Sequence, residues 1–132
     1  LAKQLGIEER VSFRGLVSDE ELRQAYLRAD IFCMPGTAEL QSLVTLEAMS
    51  ASTPVLLANA MALPHLVEKG KNGYLFEPGN STEVAGRITE ILGLPEAERR
   101  KMGQHSRDMV DSHSLEGTLA TFEKLYRTDS AS

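Results

Sequence analysis

The sequence has 132 residues, of which 14 are basic and 19 acidic, and its formal net charge is −5. This length suits one domain with a hydrophobic core, and the acidic balance argues against a nucleic-acid partner, since that kind of binding depends on neutralising phosphates. A single cysteine, Cys33, excludes an intramolecular disulfide, and no apolar run reaches the length of a membrane span.

The chain opens on residues typical of the end of a helix. Residues 1–6 finish at Gly6, and glycine commonly terminates helices. Because residue 1 is leucine rather than methionine, we expect this chain to be a piece of a longer protein. We expect that protein to be cytoplasmic, and it could associate with a membrane through a part outside this sequence.

The next segment predicts two strands with a helix between them. Val11–Phe13 alternates in polarity and predicts a short strand, and Ser18 with Glu21 forms a capping-box pair that begins a helix. The apolar run Ile31–Met34 predicts a buried strand, in which Cys33 is expected to be a buried hydrophobic residue rather than a nucleophile. The helix that begins at Ser18 repeats apolar residues at Leu22, Ala25, Tyr26 and Ala29.

The rest of the chain alternates helices and strands. The predicted elements are helix 43–51, strand 55–58, a short helix over 63–68, strand 74–76, and helices that begin near Asn80, Pro95 and Ser114. Asn80 and Glu83 form a second capping-box-like pair. Strands that alternate with helices predict a parallel α/β sheet covered on both faces. We expect one partial domain over residues 1–127 and a frayed tail over 128–132.

Two glutamates, Glu39 and Glu47, bracket the predicted start of helix 43–51. Ser42 is expected to cap this helix, because its hydroxyl can accept from free backbone N–H groups. A helix start carries partial positive charge and unpaired donors, so it suits a diphosphate. Glu47 lies about 7 Å further along the axis, at about 1.5 Å per residue, which is the reach from a diphosphate to a ribose. The pattern indicates a nucleotide-sugar site, although two glutamates alone are more often exposed surface charges.

The same stretch is similar to a longer motif, which is a glutamate, seven residues, a second glutamate, Ala-Met-Ala, a small residue and Pro-Val. Here the motif consists of Glu39, Glu47, Ala48-Met49-Ser50-Ala51, Ser52 and Pro54-Val55. The similarity continues through residues 63–67, 71–76 and 78–79. The chain thus resembles the retaining, nucleotide-sugar-dependent glycosyltransferases of family four, which have the GT-B fold.

The resemblance implies a Rossmann-like α/β parallel sheet that forms an incomplete C-terminal, donor-binding half of a GT-B fold. It implies that Glu47 holds the ribose hydroxyls, that Glu39 faces the donor sugar, and that backbone N–H groups over residues 41–44 meet the sugar and diphosphate. The implied substrate-binding residues are Glu39, Leu40, Gln41, Ser42, Leu43, Val44 and Glu47. The resemblance assigns no catalytic residue within this chain, and it implies no metal and no cofactor beyond the nucleoside diphosphate sugar that serves as donor.

Some positions depart from the family pattern, which commonly has glycine where Leu40, Ser42 and Ser52 stand. Leu40 puts a bulky side chain where the backbone must approach a sugar, so the identity of the hexose stays open. His65 stands where the family often has glutamate. Neither of the two glutamate anchors is affected by these changes.

The implied function is transfer of a sugar, with retention of configuration, from a nucleoside diphosphate sugar to an acceptor. The acceptor could be a lipid, a polysaccharide or a small molecule. The basic pair that grips the diphosphate and the acceptor-side residues are expected outside this chain, so the chain alone is expected to be inactive. Two alternatives are a nucleotide-sugar epimerase of GT-B fold and a non-enzymatic α/β domain that binds a partner protein.

The resemblance also predicts a gap in the sheet. In the doubly wound strand order 3-2-1-4-5-6, Val11–Phe13 would be the third strand and Ile31–Met34 the fourth, so the first two strands would precede Leu1. Unpaired backbone groups along Ile31–Met34 would favour association. We therefore expect a homodimer or an element swap along this edge, or Val11–Phe13 paired beside Ile31.

Overall fold

The computed structural model describes residues 1–112, 117, 119 and 120. Parallel strands alternate with helices along the chain, so the α/β fold class is confirmed. The elements are α1 (Asp19–Arg28), β1 (Phe32–Met34), α2 (Leu43–Ser50), β2 (Val55–Ala58), β3 (Gly73–Phe76), α3 (Ser81–Gly93) and α4 (Glu96–Asp111), with short 3-10 helices at Glu8–Arg10 and Leu63–Leu66. The predicted helix over residues 114–126 and the tail over 128–132 lie outside the described residues, apart from helical positions 117, 119 and 120.

The sheet places its strands in the order β1-β2-β3, with every pair parallel. Val55 of β2 faces Phe32 of β1 on one side and Gly73 of β3 on the other. A side chain at position 73 would collide with the carbonyl oxygen of Val55, so only glycine lets β3 begin at this register. The central strand β2 is buried along its whole length, as expected for a parallel sheet with helices on its faces.

The core lies where α2 and the loop helix Leu63–Leu66 pack against β2. The buried cluster contains Met49, Val55, Leu56, Leu57, Ala58, Leu63 and Phe76. Helix α4 crosses α2 at Gly103, where a Cβ atom would collide with the carbonyl oxygen of Ser52. Helix α2 therefore packs on the core and on α4, and Gly103 of α4 meets the turn that follows the end of α2.

The predicted helix starts at Ser18 and Asn80 are both confirmed, but only the first has a complete capping box. Ser18 and Glu21 form the full capping box, with each side chain bonded to the backbone N–H of the other. The Asn80 side chain accepts from the Glu83 N–H at 3.0 Å, but the Glu83 carboxylate accepts from the Glu77 N–H at 2.9 Å instead of completing the box. The second half of that capping box is therefore wrong, because the Asn80 N–H donates to the Glu77 carbonyl oxygen at 3.0 Å instead.

The segment before α1 corrects the predicted first strand. Gly6 ends one helical turn with φ of 65°, as expected for a glycine that stops a helix. Val11–Phe13, however, forms no strand and lies outside the sheet. An alternating pattern becomes a strand only when a neighbouring strand supplies backbone partners. Phe13 is 86% exposed, so the segment does not pack on the core either.

Strand β1 stands at the edge of the sheet, which corrects two expectations. Within the described residues, β1 pairs with β2 and with no other strand, so the pairing of Val11–Phe13 beside Ile31 is wrong. Cys33 is exposed rather than buried, because this edge strand has a covering neighbour on one side only. Desolvation by nearby atoms still raises the pKa of the Cys33 thiol, which disfavours the nucleophilic thiolate.

Among the helices that the structure describes, none combines the length and the apolar character that crossing a membrane requires.

Candidate functional site

The carboxyl ends of the strands meet at one edge of the sheet, where their loops contact each other. The N–H of Ala62, in the loop after β2, donates to the carbonyl oxygen of Glu39, in the loop after β1, at 3.2 Å. The Asn59 side chain reaches the Glu77 carboxylate, in the loop after β3, at 2.8 Å. In open parallel α/β sheets, ligands bind in the crevice outside this edge. The predicted site residues therefore lie at the edge where this fold class binds ligands.

The start of α2 departs from the predicted cap in one respect. Ser42 occupies the N-cap position, but its side chain makes no capping hydrogen bond. It is 2% exposed, and its hydroxyl pairs with the buried Thr45 hydroxyl at 2.7 Å. The prediction that the Ser42 hydroxyl satisfies the free N–H groups is therefore wrong, because that hydroxyl is already paired within the protein.

This departure leaves backbone donors free at the helix start. Among the described residues, the N–H groups of Gln41, Ser42 and Val44 have no hydrogen-bond acceptor. Val44 holds the second helical position, one of the two N–H groups that a capping side chain ordinarily satisfies. The first turn of α2 also contains no acidic residue that would offset its partial positive charge. The arrangement can bind an anion through backbone donors.

Glu47 lies on the exposed side of α2, one turn beyond Leu43. The Tyr26 hydroxyl, on α1, donates to Glu47 Oε2 at 3.1 Å. The carboxylate opens into a groove of about 450 Å³ between α1, α2 and α4. The groove is lined by Asp19, Arg23, Tyr26, Leu27, Glu47, Ser50, Ala51 and Arg107. A carboxylate in this position can accept hydrogen bonds from a polar ligand that enters along the groove.

Glu39 is partly buried in the loop after β1. A Cβ atom at Gly36 would lie 3.3 Å from Met34 Sδ and 3.5 Å from Glu39 Cγ, so glycine lets this loop fold closely over the end of β1. The neighbouring Leu40 is 77% exposed and makes no part of the core. The structure thus places the first glutamate and Leu40 on the loop side of the helix start, with the second glutamate on its far side.

Two residues near the site escape sequence reasoning. Tyr26 belongs to the apolar repeat of α1, and nothing in a repeat shows that its hydroxyl meets a carboxylate 21 residues away. Met61 is exposed in the loop after β2 with φ of 51°, a conformation that non-glycine residues rarely adopt. No residue type predicts that strain, so neither feature has a sequence signal.

The two histidines that the structure describes, His65 and His105, do not join this site. His65 is exposed on the 3-10 helix, and His105 of α4 pairs with Glu68 at 3.0 Å, before the start of β3. Lys71 first, and then His105, hold the pKa of the Glu68 carboxyl below its usual value. Across the described part of the chain, no three histidine, cysteine, aspartate or glutamate side chains come together as a metal site would need. The expectation that no metal is needed stays a prediction.

Comparison with known proteins identifies relatives of this chain. The sequence profile of the family described as glycosyl transferases group 1 matches residues 1–109. The chain is 33% identical over 125 residues to a D-inositol 3-phosphate glycosyltransferase of Mycolicibacterium smegmatis. That match covers 94% of this chain and 29% of the relative.

Solved structures of the same kind superpose on the chain. The C-terminal domain of a glycosyl transferase group 1 protein, LpcC of Francisella tularensis, matches with a TM-score of 0.71 and 29% identity, over 84% of this chain and 57% of that one. HepE of Anabaena, solved in complex with UDP-glucose, matches with a TM-score of 0.78 and 28% identity, over 99% of this chain and 35% of that one. The structural neighbours are GT-B glycosyltransferases, of which this chain spans a part. The family profile covers most of the sequence, and the chain therefore belongs to the glycosyl transferases group 1 family.

Proposed function

We propose that this chain is the donor-binding part of a retaining glycosyltransferase, which moves a sugar from a nucleoside diphosphate sugar to an acceptor. The observation that carries the proposal is the position of Glu47, one turn beyond a helix start where, among the described residues, the N–H groups of Gln41, Ser42 and Val44 have no acceptor. Membership of the family supports it, as does the likeness to HepE, whose structure holds UDP-glucose.

The diphosphate, the ribose and the sugar of a nucleotide sugar each have a suitable partner in this arrangement. The diphosphate would accept from the N–H groups of Gln41, Ser42 and Val44, where the helix dipole favours negative charge. The ribose hydroxyls would donate to Glu47, and the donor sugar would lie beside Glu39 and the exposed Leu40. The donor would thus cross the start of α2 from the groove to the loop after β1.

The same helix start would assist the chemistry. Breaking the bond between the sugar and the diphosphate leaves negative charge on the departing nucleoside diphosphate. Backbone donors that are already fixed in place stabilise such charge without reorganising during the reaction. We propose that the reaction needs no metal ion, since the basic pair and these donors would together neutralise the diphosphate. The basic pair and the acceptor-side residues would come from polypeptide outside this chain.

The exposed Leu40 bears on which hexose the donor carries. Leu40 makes the sugar side of the site bulkier than glycine would, so a hexose with a small substituent there is favoured. The acceptor could be a lipid, a polysaccharide or a small molecule. We further propose that the protein works in the cytoplasm, where nucleotide sugars serve as soluble donors.

A thermal-shift panel on the full-length protein tests the donor proposal. Nucleoside diphosphate sugars with different bases and hexoses are added singly, and we expect one of them to raise the unfolding temperature, because a ligand that binds only the folded state stabilises it. Failure of every nucleotide sugar and every nucleoside diphosphate to shift unfolding would argue for a domain that binds something else.

Product analysis then tests the reaction. With the stabilising donor and a candidate acceptor, we expect nucleoside diphosphate release to depend on the acceptor and the new glycosidic bond to keep the donor's anomeric configuration. An isomerised sugar or sugar nucleotide, formed without any acceptor, would show an epimerase instead.

A further inference from the structure

Tyr26 lies on α1, outside the segment that the proposed function uses, yet it contacts that segment's second glutamate. Its hydroxyl donates to Glu47 Oε2 at 3.1 Å across the groove between α1 and α2. The bond joins residues that are 21 positions apart and belong to separate helices. It therefore depends on the tertiary fold and not on helix spacing.

The Tyr26 ring and backbone are held by elements of the core. The ring meets the ring of Phe32, on β1, edge to face, with 6.0 Å between centroids. The Tyr26 carbonyl oxygen accepts from the Thr53 hydroxyl at 3.1 Å, and Thr53 is buried in the turn between α2 and β2. These contacts fix the hydroxyl relative to α2, so it can hold a partner in one place.

Glu47 needs such a partner, because an exposed glutamate otherwise samples several rotamers and loses that freedom when it binds. A carboxylate can accept about four hydrogen bonds, and the hydroxyl of Tyr26 takes one site on Oε2. Among the described residues, no other side chain bonds to the Glu47 carboxylate, so Oε1 stays open to a ligand. Burial first, and then the bond to Glu47, raise the pKa of Tyr26, which keeps the phenol protonated as a donor.

We propose that Tyr26 is a positioning residue that fixes the Glu47 carboxylate in the orientation that accepts both ribose hydroxyls of the donor. This inference rests on the proposed function, since it assigns Tyr26 an effect only through Glu47. The phenol donates a hydrogen bond to Oε2, so the Glu47 side chain is already in one rotamer when the ribose hydroxyls bind. Preorganisation of this kind strengthens binding by reducing the entropy lost on association.

The test compares Tyr26→Phe with the parent in the full-length protein. The probe is whichever of UDP, GDP and ADP binds the protein most tightly, together with its 2′,3′-dideoxy counterpart, and the readout is Kd by calorimetry. The phenylalanine keeps the ring contact with Phe32 and removes only the hydroxyl. We expect Kd for the ribonucleotide to rise about three- to tenfold, as for one lost hydrogen bond, and Kd for the dideoxy nucleotide to stay unchanged.

Tyr74→Phe is the matched control. The Tyr74 hydroxyl also donates to a glutamate on a helix, Glu90 of α3, at 2.8 Å, but the pair lies away from the start of α2. The control loses the same kind of bond and should leave both Kd values unchanged. The unfolding temperature without nucleotide checks that each variant is folded.

The outcomes separate this inference from the proposed function. An unchanged ribonucleotide Kd in Tyr26→Phe overturns the inference, and so does an equal loss for both nucleotides, which would mean a general disturbance of the site. Glu47→Ala is measured alongside. If it abolishes the preference for the ribonucleotide while Tyr26→Phe leaves that preference intact, the role of Tyr26 alone is refuted. If Glu47→Ala also leaves the preference intact, the assignment of Glu47 and the role of Tyr26 are both refuted.

Discussion

Ser52, in the turn between α2 and β2, holds φ at 60°, which is the left-handed region that favours glycine. Such a conformation costs a residue with a side chain about 1–2 kcal/mol. The turn keeps it because the Ser52 N–H donates to the Met49 carbonyl at 2.9 Å and the Ser52 carbonyl packs on Gly103 of α4. The strain is therefore local, and the surrounding packing maintains it.

We predict that Ser52→Gly stabilises the domain. Relief of the strain should exceed the added flexibility of the unfolded chain, for a gain of about 0.5–1 kcal/mol in the free energy of unfolding. Urea denaturation measures the change. Ser50→Gly is the control, because position 50 lies in α2 and the same replacement there should destabilise. A loss of stability in Ser52→Gly would show that the side chain makes a contact that outweighs the strain.

The residue scale also shows what a sequence can reveal about the site. The motif spacing correctly places Glu39 before the start of α2 and Glu47 within it. It predicts the wrong role for the Ser42 hydroxyl and gives no sign of its bond to Thr45, because pairing between buried hydroxyls depends on rotamers. The bond between Tyr26 and Glu47 is hidden for a similar reason, since it forms only once two helices pack together.

At the scale of elements, the contact between α2 and α4 depends on Gly103. This position has no room for a methyl group, since the obstruction is the Ser52 carbonyl, which is backbone and cannot rotate away. Gly86 of α3, by contrast, faces open space. Two glycines in neighbouring helices therefore differ in what a side chain would meet.

We predict opposite effects for alanine at these two positions. Gly103→Ala should push α4 off α2 and lower the free energy of unfolding by about 1–3 kcal/mol, as overpacking commonly does. Gly86→Ala should raise it by about 0.5–1 kcal/mol, because alanine favours a helix interior. Urea denaturation of both variants tests this. Equal effects of the two changes would contradict the close approach of α4.

The position of β1 at the edge of the sheet predicts that the chain associates with itself. No strand of the described residues pairs with the outer side of β1, and such an edge favours pairing with another chain, so we expect the purified 132-residue chain to form dimers in light scattering at increasing concentration. Cys33→Lys should shift the chain to monomers, because Cys33 is exposed on this strand and charges on edge strands discourage pairing. Cys33→Ser should still dimerise, which excludes a disulfide as the cause. A monomer at all concentrations would refute association through this edge.

Elements were predictable from the sequence wherever local signals and packing agree. Helices α1 and α3 begin at the predicted capping residues Ser18 and Asn80, and β2 has the predicted bounds Val55–Ala58. The predicted strand Val11–Phe13 is wrong because no strand of the described residues pairs with it, and a strand is stable only when paired. Local pattern thus determines helices more firmly than it determines membership of a sheet.

At the scale of the whole molecule, the chain spans 29% of the length of the M. smegmatis relative and 35% of HepE. We predict that the purified chain transfers no sugar, because the reaction needs donor and acceptor to be held together and the acceptor side is expected elsewhere. A radiolabelled donor assay, with the full-length protein as the positive control, measures this. Sugar transfer by the chain itself, free of contaminating enzyme, would refute the claim that the reaction needs parts of the protein outside this chain.

Donor binding through Glu47 is the central claim, and calorimetry on the full-length protein tests it most directly. We predict that Glu47→Ala weakens binding of the donor nucleotide sugar by at least about 1.5 kcal/mol, the lower range for a hydrogen bond to a charged group. Glu98→Ala, which removes the same charge from an exposed position on α4, should leave the affinity unchanged. An affinity in Glu47→Ala equal to that of the parent protein would contradict the account.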